Sequence, residues 1–249
     1  MKLTVEVWRQ AGPEAKGAFV SYQLDDLDEA MSVLELLDRL NEDLISVGQT
    51  PIAFDSDCRE STCGACGLTV NSRPGGLSPH LTTCMQRLGQ FKDGQIVRLE
   101  PLRAKAFPVV KDLVVDRSAL DRLLAAGAKD VDLKEAKPAD DQPVEPDKAE
   151  AALDMAACIG CGVCVAACPN GSAYLFTGAK LAHLGLLPTD QVDKSKRAIA
   201  MTTVAEDEFG PCSLYEECLA VCPANLPDST LTVPGHERLA AWLRRGSVN

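Results

Sequence analysis

CIGCGVCVAACP at residues 158–169 returns, altered, as CSLYEECLAVCP at residues 212–223. The two segments share one frame, and each ends on a Cys-Pro pair. One position breaks the match: Tyr215 stands where the first copy has Cys161. A duplicated thiol motif that has lost one thiol needs a chemical reason, and the rest of the cysteines narrow it.

The chain of 249 residues carries eleven cysteines. They fall into three groups: Cys58, Cys63, Cys66 and Cys84; Cys158, Cys161, Cys164 and Cys168; Cys212, Cys218 and Cys222. An odd count fits a closed disulfide framework poorly. The opening MKLTVEVWRQ has no apolar signal core, and no run approaches the length of a membrane-spanning helix. A reducing compartment is therefore expected, with thiolates free for metal. A net charge of −11 argues against nucleic acid as a partner. Hydrophobic residues make up 46% of the chain and aromatics only 4%, so the core is largely aliphatic.

Cys58-x4-Cys63-x2-Cys66 with a distant Cys84 has the plant-type [2Fe–2S] spacing. A tight loop supplies three thiolates, and its amides can point at the sulfurs. Gly64 and Gly67 allow the backbone to approach closely. A zinc site on Cys63 and Cys66 is the competing reading, though a four-residue gap before the pair is unusual for zinc. Arg59 either offsets cluster charge, meets a partner or is simply solvated.

Cys158-x2-Cys161-x2-Cys164-x3-Cys168-Pro169 is the bacterial ferredoxin run. In two-cluster proteins of that kind, the cysteine before proline crosses to the other cluster. Applied here, Cys158, Cys161, Cys164 and Cys222 hold a [4Fe–4S] cluster. Cys168, Cys212 and Cys218 hold the second, whose fourth corner falls at Tyr215. A corner without thiolate holds its iron weakly, so a [3Fe–4S] cluster with a raised potential is expected. The alternative is a [4Fe–4S] cluster with water or Tyr215 on the fourth iron. Sets of four, four and three ligands use every cysteine in the chain.

Around these motifs, KLTVEVW, GAFVSYQL, LTV and QIVRLEPL read as strands. SVLELLDRLNEDL places Val33, Leu36, Leu37, Leu40 and Leu44 on one helical face. After Pro101 the pattern turns helical: SALDRLLAAG, SAYLFTGAKLAHLGLL and HERLAAWLRR are helix candidates, with short helices at the cysteine motifs. KEAKPADDQPVEPDKAE, residues 134–150, is charged and Pro-rich and reads as a surface loop.

CRESTCGACG, PVVKDLVVD, CIGCGVCVAACP and the spaced cysteines before Pro223, in this order, resemble the iron–sulfur subunit of succinate dehydrogenase and fumarate reductase. The resemblance implies an α+β fold over residues 1–105, a β-grasp, plant-type ferredoxin-like domain. It implies an all-α, bacterial ferredoxin-like domain over 106–249. It also implies a flavoprotein partner carrying covalent FAD, one or two membrane-anchor chains, and peripheral placement on the cytoplasmic face of the cell membrane. Single electrons then pass between FAD and quinone through [2Fe–2S], [4Fe–4S] and [3Fe–4S].

Three features depart from the common family pattern. Ser61 occupies a position usually held by glycine. NSRPGGLSPHLTTC lengthens the gap from Cys66 to Cys84. NGSAY replaces a tryptophan-containing stretch after Pro169, so quinone contacts do not transfer residue by residue. These features are closer to members that work with menaquinone. A soluble, thiol-linked fumarate reductase subunit, which usually adds a cysteine-rich extension, and a free ferredoxin-like carrier are the competing functions. His80 before Cys84 invites a Rieske reading that four cysteines make unnecessary, and reads as a surface residue. His183 reads as packed or solvated. Trp8 and Trp242 fit a strand and an amphipathic helix. Arg238, Arg244 and Arg245 can face a membrane or anchor, while the last two also complement a helix C-terminus.

Overall fold

The computed structural model describes residues 1–127, 144–188 and 191–246. Alternating apolar residues make the first strand, β1 (Leu3–Arg9), with Leu3, Val5 and Val7 buried on one face. It pairs antiparallel with β2 (Ala18–Leu24) and parallel with β5 (Ile96–Pro101). The short β3 (Leu68–Val70) and β4 (Arg73–Pro74) complete a five-stranded sheet of order β2-β1-β5-β3-β4. One parallel pair inside a mostly antiparallel sheet requires a crossover, and α1 (Val33–Ser46) lies within it. The five apolar residues expected on one face of α1 are all buried, joined by Leu34. Ser32 and Glu35 close a capping box at its start: Glu35 N donates to Ser32 Oγ (3.2 Å), and Ser32 N donates to Glu35 Oε2 (2.6 Å).

PVVKDLVVD folds as a hairpin of β6 (Val109–Lys111) and β7 (Val114–Val115), which corrects the all-α expectation for residues 106–249: that stretch opens with two short strands. Its turn residue Asp112 is buried and left-handed (φ 47°). The Asp112 carboxylate accepts from Arg9 Nε (3.2 Å), Gln10 N (2.9 Å) and Ala53 N (3.0 Å). The hairpin ties two cores together, since Leu113 packs into the sheet core while Leu102 and Val115 belong to the helical one. Asp116 Oδ1 then accepts from Ser118 N (2.8 Å) at the start of α2 (Ser118–Gly127).

The remaining described elements are helical: α3 (Pro146–Ala156), α4 (Val163–Ala167), α5 (Tyr174–Leu186), α6 (Gln191–Glu208), α7 (Glu217–Val221) and α8 (Val233–Gly246). Phe107 and Phe209 meet edge-on at 6.3 Å in their shared core. The loop expected over 134–150 is corrected at its end: Pro146 is the first residue of α3, where a missing amide costs nothing. Residues 134–143 lie outside the described residues. Helix α6 had no sequence expectation. Among the described residues, no helix is long and apolar enough to cross a membrane.

Candidate iron–sulfur centres

The loop from Cys58 to Cys66 curls through left-handed residues at Arg59 (φ 59°), Ser61 (φ 62°) and Gly64 (φ 75°). That curl turns successive amides inward. Glu60 N and Cys63 N donate to Cys58 Sγ (3.4 and 3.3 Å), Ala65 N to Cys63 Sγ (3.4 Å) and Ser61 N to Cys84 Sγ (3.4 Å). Cys84 arrives on a 3₁₀ turn, and Thr82 Oγ1 lies 3.1 Å from its sulfur. Ser61 bears the strain of a position usually given to glycine, about 1 kcal/mol for an L residue. Its hydroxyl is put to use, accepting from Thr82 N (3.1 Å) and lying 3.0 Å from Thr82 Oγ1. Arg59 pairs with Asp38 of α1 and with Ser56, so it is tethered rather than simply solvated.

The thiols differ in their readiness for metal. A hydrogen bond from the Thr62 side chain, helped by loop amides, brings the Cys58 pKa down to about 6. Burial pushes Cys66 up to about 11. Cys161 rises to about 12 and Cys164 goes well above the usual thiol value, both through burial. Such buried thiols become thiolates only when a bound cation supplies the compensating charge.

The other seven cysteines surround two separate hollows. Cys158, Cys161, Cys164 and Cys222 line one, walled by Leu175, Phe176 and Leu226. Cys168, Cys212 and Cys218 line a second, together with Tyr215. Leu175 borders both, so little more than one side chain separates them. Among the described residues, no set of three His, Cys, Asp or Glu side chains is placed to hold a single metal ion. The thiols ring each hollow instead of converging on one point, the arrangement of ligands at the corners of a cage.

Helices α4 and α7 produce this partition. Each carries one cysteine in its body, Cys164 or Cys218, and one at its C-cap, Cys168 or Cys222. The C-cap residues are extended (φ −72°, ψ 126° and φ −67°, ψ 116°), which turns each toward the other motif's hollow. The loops before the helices share a backbone course. Gly160 and Gly162 have φ 65° and 78°; their counterparts Leu214 and Glu216 have φ 54° and 63°. Two non-glycine residues are thus held left-handed, and Tyr215 sits at the position that Cys161 occupies in the first loop.

His80 is exposed, yet its Nδ1 lies 3.0 Å from the carbonyl oxygen of Cys222, in the other half of the molecule. It stands apart from the first cysteine group in any ligand sense. His183 is half-buried, with its pKa lowered by burial. Arg117, which carried no sequence expectation, donates to Gly64 O (2.7 Å), Ala65 O (2.9 Å) and Cys161 O (3.0 Å). Trp8 stacks under Arg103 at 3.9 Å on the sheet, whereas Trp242 is exposed on α8. Arg238 pairs with Glu206, and Arg244 donates to Ser195 Oγ (2.6 Å). The side chain of Arg245 lies outside the described residues.

Residues 4–122 match the 2Fe-2S iron-sulfur cluster binding domain family, and residues 157–226 match the 4Fe-4S dicluster domain family. The succinate dehydrogenase iron-sulfur subunit of Bacillus subtilis is 32% identical over 187 residues, covering 73% of this chain and 69% of that protein. The chain belongs to the family of iron–sulfur subunits of succinate dehydrogenases and fumarate reductases. Another relative in that family, the fumarate reductase iron-sulfur subunit of Wolinella succinogenes, is 28% identical over 90% of this chain and 92% of its own. A fumarate reductase (CoM/CoB) subunit of Methanothermobacter marburgensis is 27% identical over 98% of this chain but only 45% of its own length. A chain of the Mycobacterium smegmatis Sdh1 complex has the same fold, with a TM-score of 0.71 at 22% identity over 98% of this chain and 96% of that one.

Proposed function

We propose that this iron–sulfur subunit relays single electrons between the FAD of a flavoprotein subunit and quinone at a membrane anchor. The observation that carries this reading is the division of seven cysteines between two adjacent hollows, four around one and three around the other. In this reading Cys58, Cys63, Cys66 and Cys84 hold [2Fe–2S]; Cys158, Cys161, Cys164 and Cys222 hold [4Fe–4S]; Cys168, Cys212 and Cys218 hold [3Fe–4S]. When bound, the clusters supply one-electron carriers in series. The chain's part is to hold them. Loop amides are donated to the thiolates, aliphatic walls keep water away, and Arg117 and His80 keep the two halves docked.

The sheet unit is read as a β-grasp domain facing the flavoprotein. The second unit, residues 106–249, with the β6–β7 hairpin at its start and helices after it, is read as facing the anchor on the cytoplasmic side of the membrane. Dicarboxylate chemistry belongs to the flavoprotein. The exposed Leu214 and Tyr215 beside the second hollow favour an apolar ligand or partner there, in keeping with a quinone, menaquinone included.

The match to the CoM/CoB-type fumarate reductase over 98% of the chain supports a second reading, a fumarate reductase without a membrane anchor. Purification of the native complex separates the two. Co-purification of a flavoprotein and a hydrophobic chain, with succinate- or fumarate-linked quinone turnover, supports the first. A flavoprotein without an anchor, and no quinone turnover, overturns it.

A further inference from the structure

Three of the four cysteines around the first hollow, Cys158, Cys161 and Cys222, share a feature beyond their thiols. The backbone carbonyl of each meets a basic side chain. Lys180 Nζ donates to Cys158 O (3.1 Å), Arg117 Nη1 donates to Cys161 O (3.0 Å), and His80 Nδ1 lies 3.0 Å from Cys222 O. A carbonyl can only accept, so the imidazole carries a proton on Nδ1, whatever the state of its other nitrogen. The three side chains come from three places: the loop after β4, the residue before α2, and the body of α5.

Their placement is costly. Lys180 follows Ala179 and precedes Leu181, both buried, and its ammonium approaches a ligand loop instead of running straight to water. It also lies 5.8 Å from the Phe176 ring, which walls the same hollow. The Arg117 side chain is largely buried, with three backbone carbonyls on its fork and Asp55 at 3.8 Å. The second hollow differs in its carboxylates: Glu216 and Glu217 line it, whereas the described lining of the first holds no acidic side chain.

We propose that Lys180, Arg117 and His80 are positioning residues for the middle centre, fixing its ligand loops and raising its reduction potential. The inference rests on the reading that Cys158, Cys161, Cys164 and Cys222 hold a [4Fe–4S] cluster. Reduction adds one negative charge inside an apolar wall. Lys180 and Arg117 place fixed positive charge on the ligand loops themselves, which favours that charged state, and the low local dielectric leaves it poorly screened. The fixed charges of Lys180 and Arg117 carry the electrostatic effect, while His80 contributes its donor.

The test is an EPR-monitored redox titration of the native complex carrying Lys180→Gln, Lys180→Arg or Arg117→Lys. In Lys180→Gln the middle centre should become harder to reduce by about tenfold in its one-electron equilibrium, about 59 mV. Lys180→Arg should restore the wild-type value. Arg117→Lys keeps the charge but loses the fork, so it should move the potential less than Lys180→Gln while loosening the loops. If an Arg117 variant fails to assemble, the two Lys180 variants decide alone. An unchanged potential in Lys180→Gln, with its signal intact, overturns the inference. So does loss of the centre in both Lys180 variants, which marks a packing role only. A wild-type complex with no [4Fe–4S] signal overturns the ligand reading itself and is distinguishable from either result.

Discussion

A β carbon added to Gly64 would stand 3.0 Å from both Cα and Cβ of Cys161. It would also lie 2.8 Å from the carbonyl oxygen of Ile159, and Gly64 itself is left-handed at φ 75°. The loop bearing Cys63 and Cys66 therefore touches the loop bearing Cys158 and Cys161 with no room for a side chain, and Arg117 pins the contact. Gly64→Ala should cost about 1–3 kcal/mol through the left-handed backbone and the forced separation. Chemical denaturation checks the loss. Magnetic coupling between the first two reduced centres should weaken as well; unchanged stability and coupling would show that the loops have slack.

Asp112 explains why a charged residue belongs in the middle of PVVKDLVVD. Its carboxylate is 3% exposed and serves Arg9, Gln10 and Ala53 together. Asp112→Ala leaves the Arg9 Nε–H and two amides without their acceptor, while the rest of the guanidinium keeps Tyr22 Oη, Thr50 O and Pro51 O. A loss of about 3 kcal/mol is expected. A denaturation midpoint close to wild type, with an unchanged slope, would mean that water replaces the carboxylate at little cost.

Glu35 gives a pH signature. Its hydrogen bonds with Ser32 hold the carboxyl below the ordinary range, with Arg87 and Arg59 adding to the effect. A carboxyl lowered by folding contributes stability above its unfolded pKa, about 4.3. The contribution is lost as pH falls through the lower folded value. Glu35→Gln should therefore melt earlier than wild type at neutral pH, and the gap should close toward pH ~3. A gap that stays constant across that range would assign the effect to shape rather than charge.

Tyr215 is the one place where the repeated motif lost a donor, and the backbone around it kept the course of the first loop. Gly160 and Gly162 find left-handed counterparts in Leu214 and Glu216, which bear about 1–2 kcal/mol each for it. A thiol at this position should therefore reach the open corner. Tyr215→Cys should admit a fourth iron, diminish the oxidised-state EPR signal of a three-iron centre and lower its potential. An unchanged signal, with the substitution verified by mass, would show that the pocket and not the ligand excludes the iron.

The legible parts of this molecule are those in which a local pattern carries the meaning. Helix α1 is readable because five apolar residues fall on one face, and the three cysteine groups are readable because most of their spacing is local, though Cys84 lies farther along the chain and Cys168 and Cys222 line the hollow of the other motif. Helix α6 is not readable: Ala198, Met201, Thr202 and Ala205 give it a thin buried stripe, and packing against α2 and α8 holds the rest. Pro146 reads as a breaker because its effect depends on whether it stands at a helix start or inside one. Lys180, Arg117 and His80 leave no trace, since their partners are backbone carbonyls, which every residue has. His80 reads as an ordinary surface residue for the same reason.

Native mass spectrometry of the anaerobically purified protein, with the iron–sulfur chain released intact in the gas phase, tests the allotment of the eleven cysteines most directly. The expected mass is the polypeptide plus about nine irons and about ten sulfides, the content of one [2Fe–2S], one [4Fe–4S] and one [3Fe–4S] cluster. A stable species with a tenth iron, or a mass fitted by zinc, would contradict it.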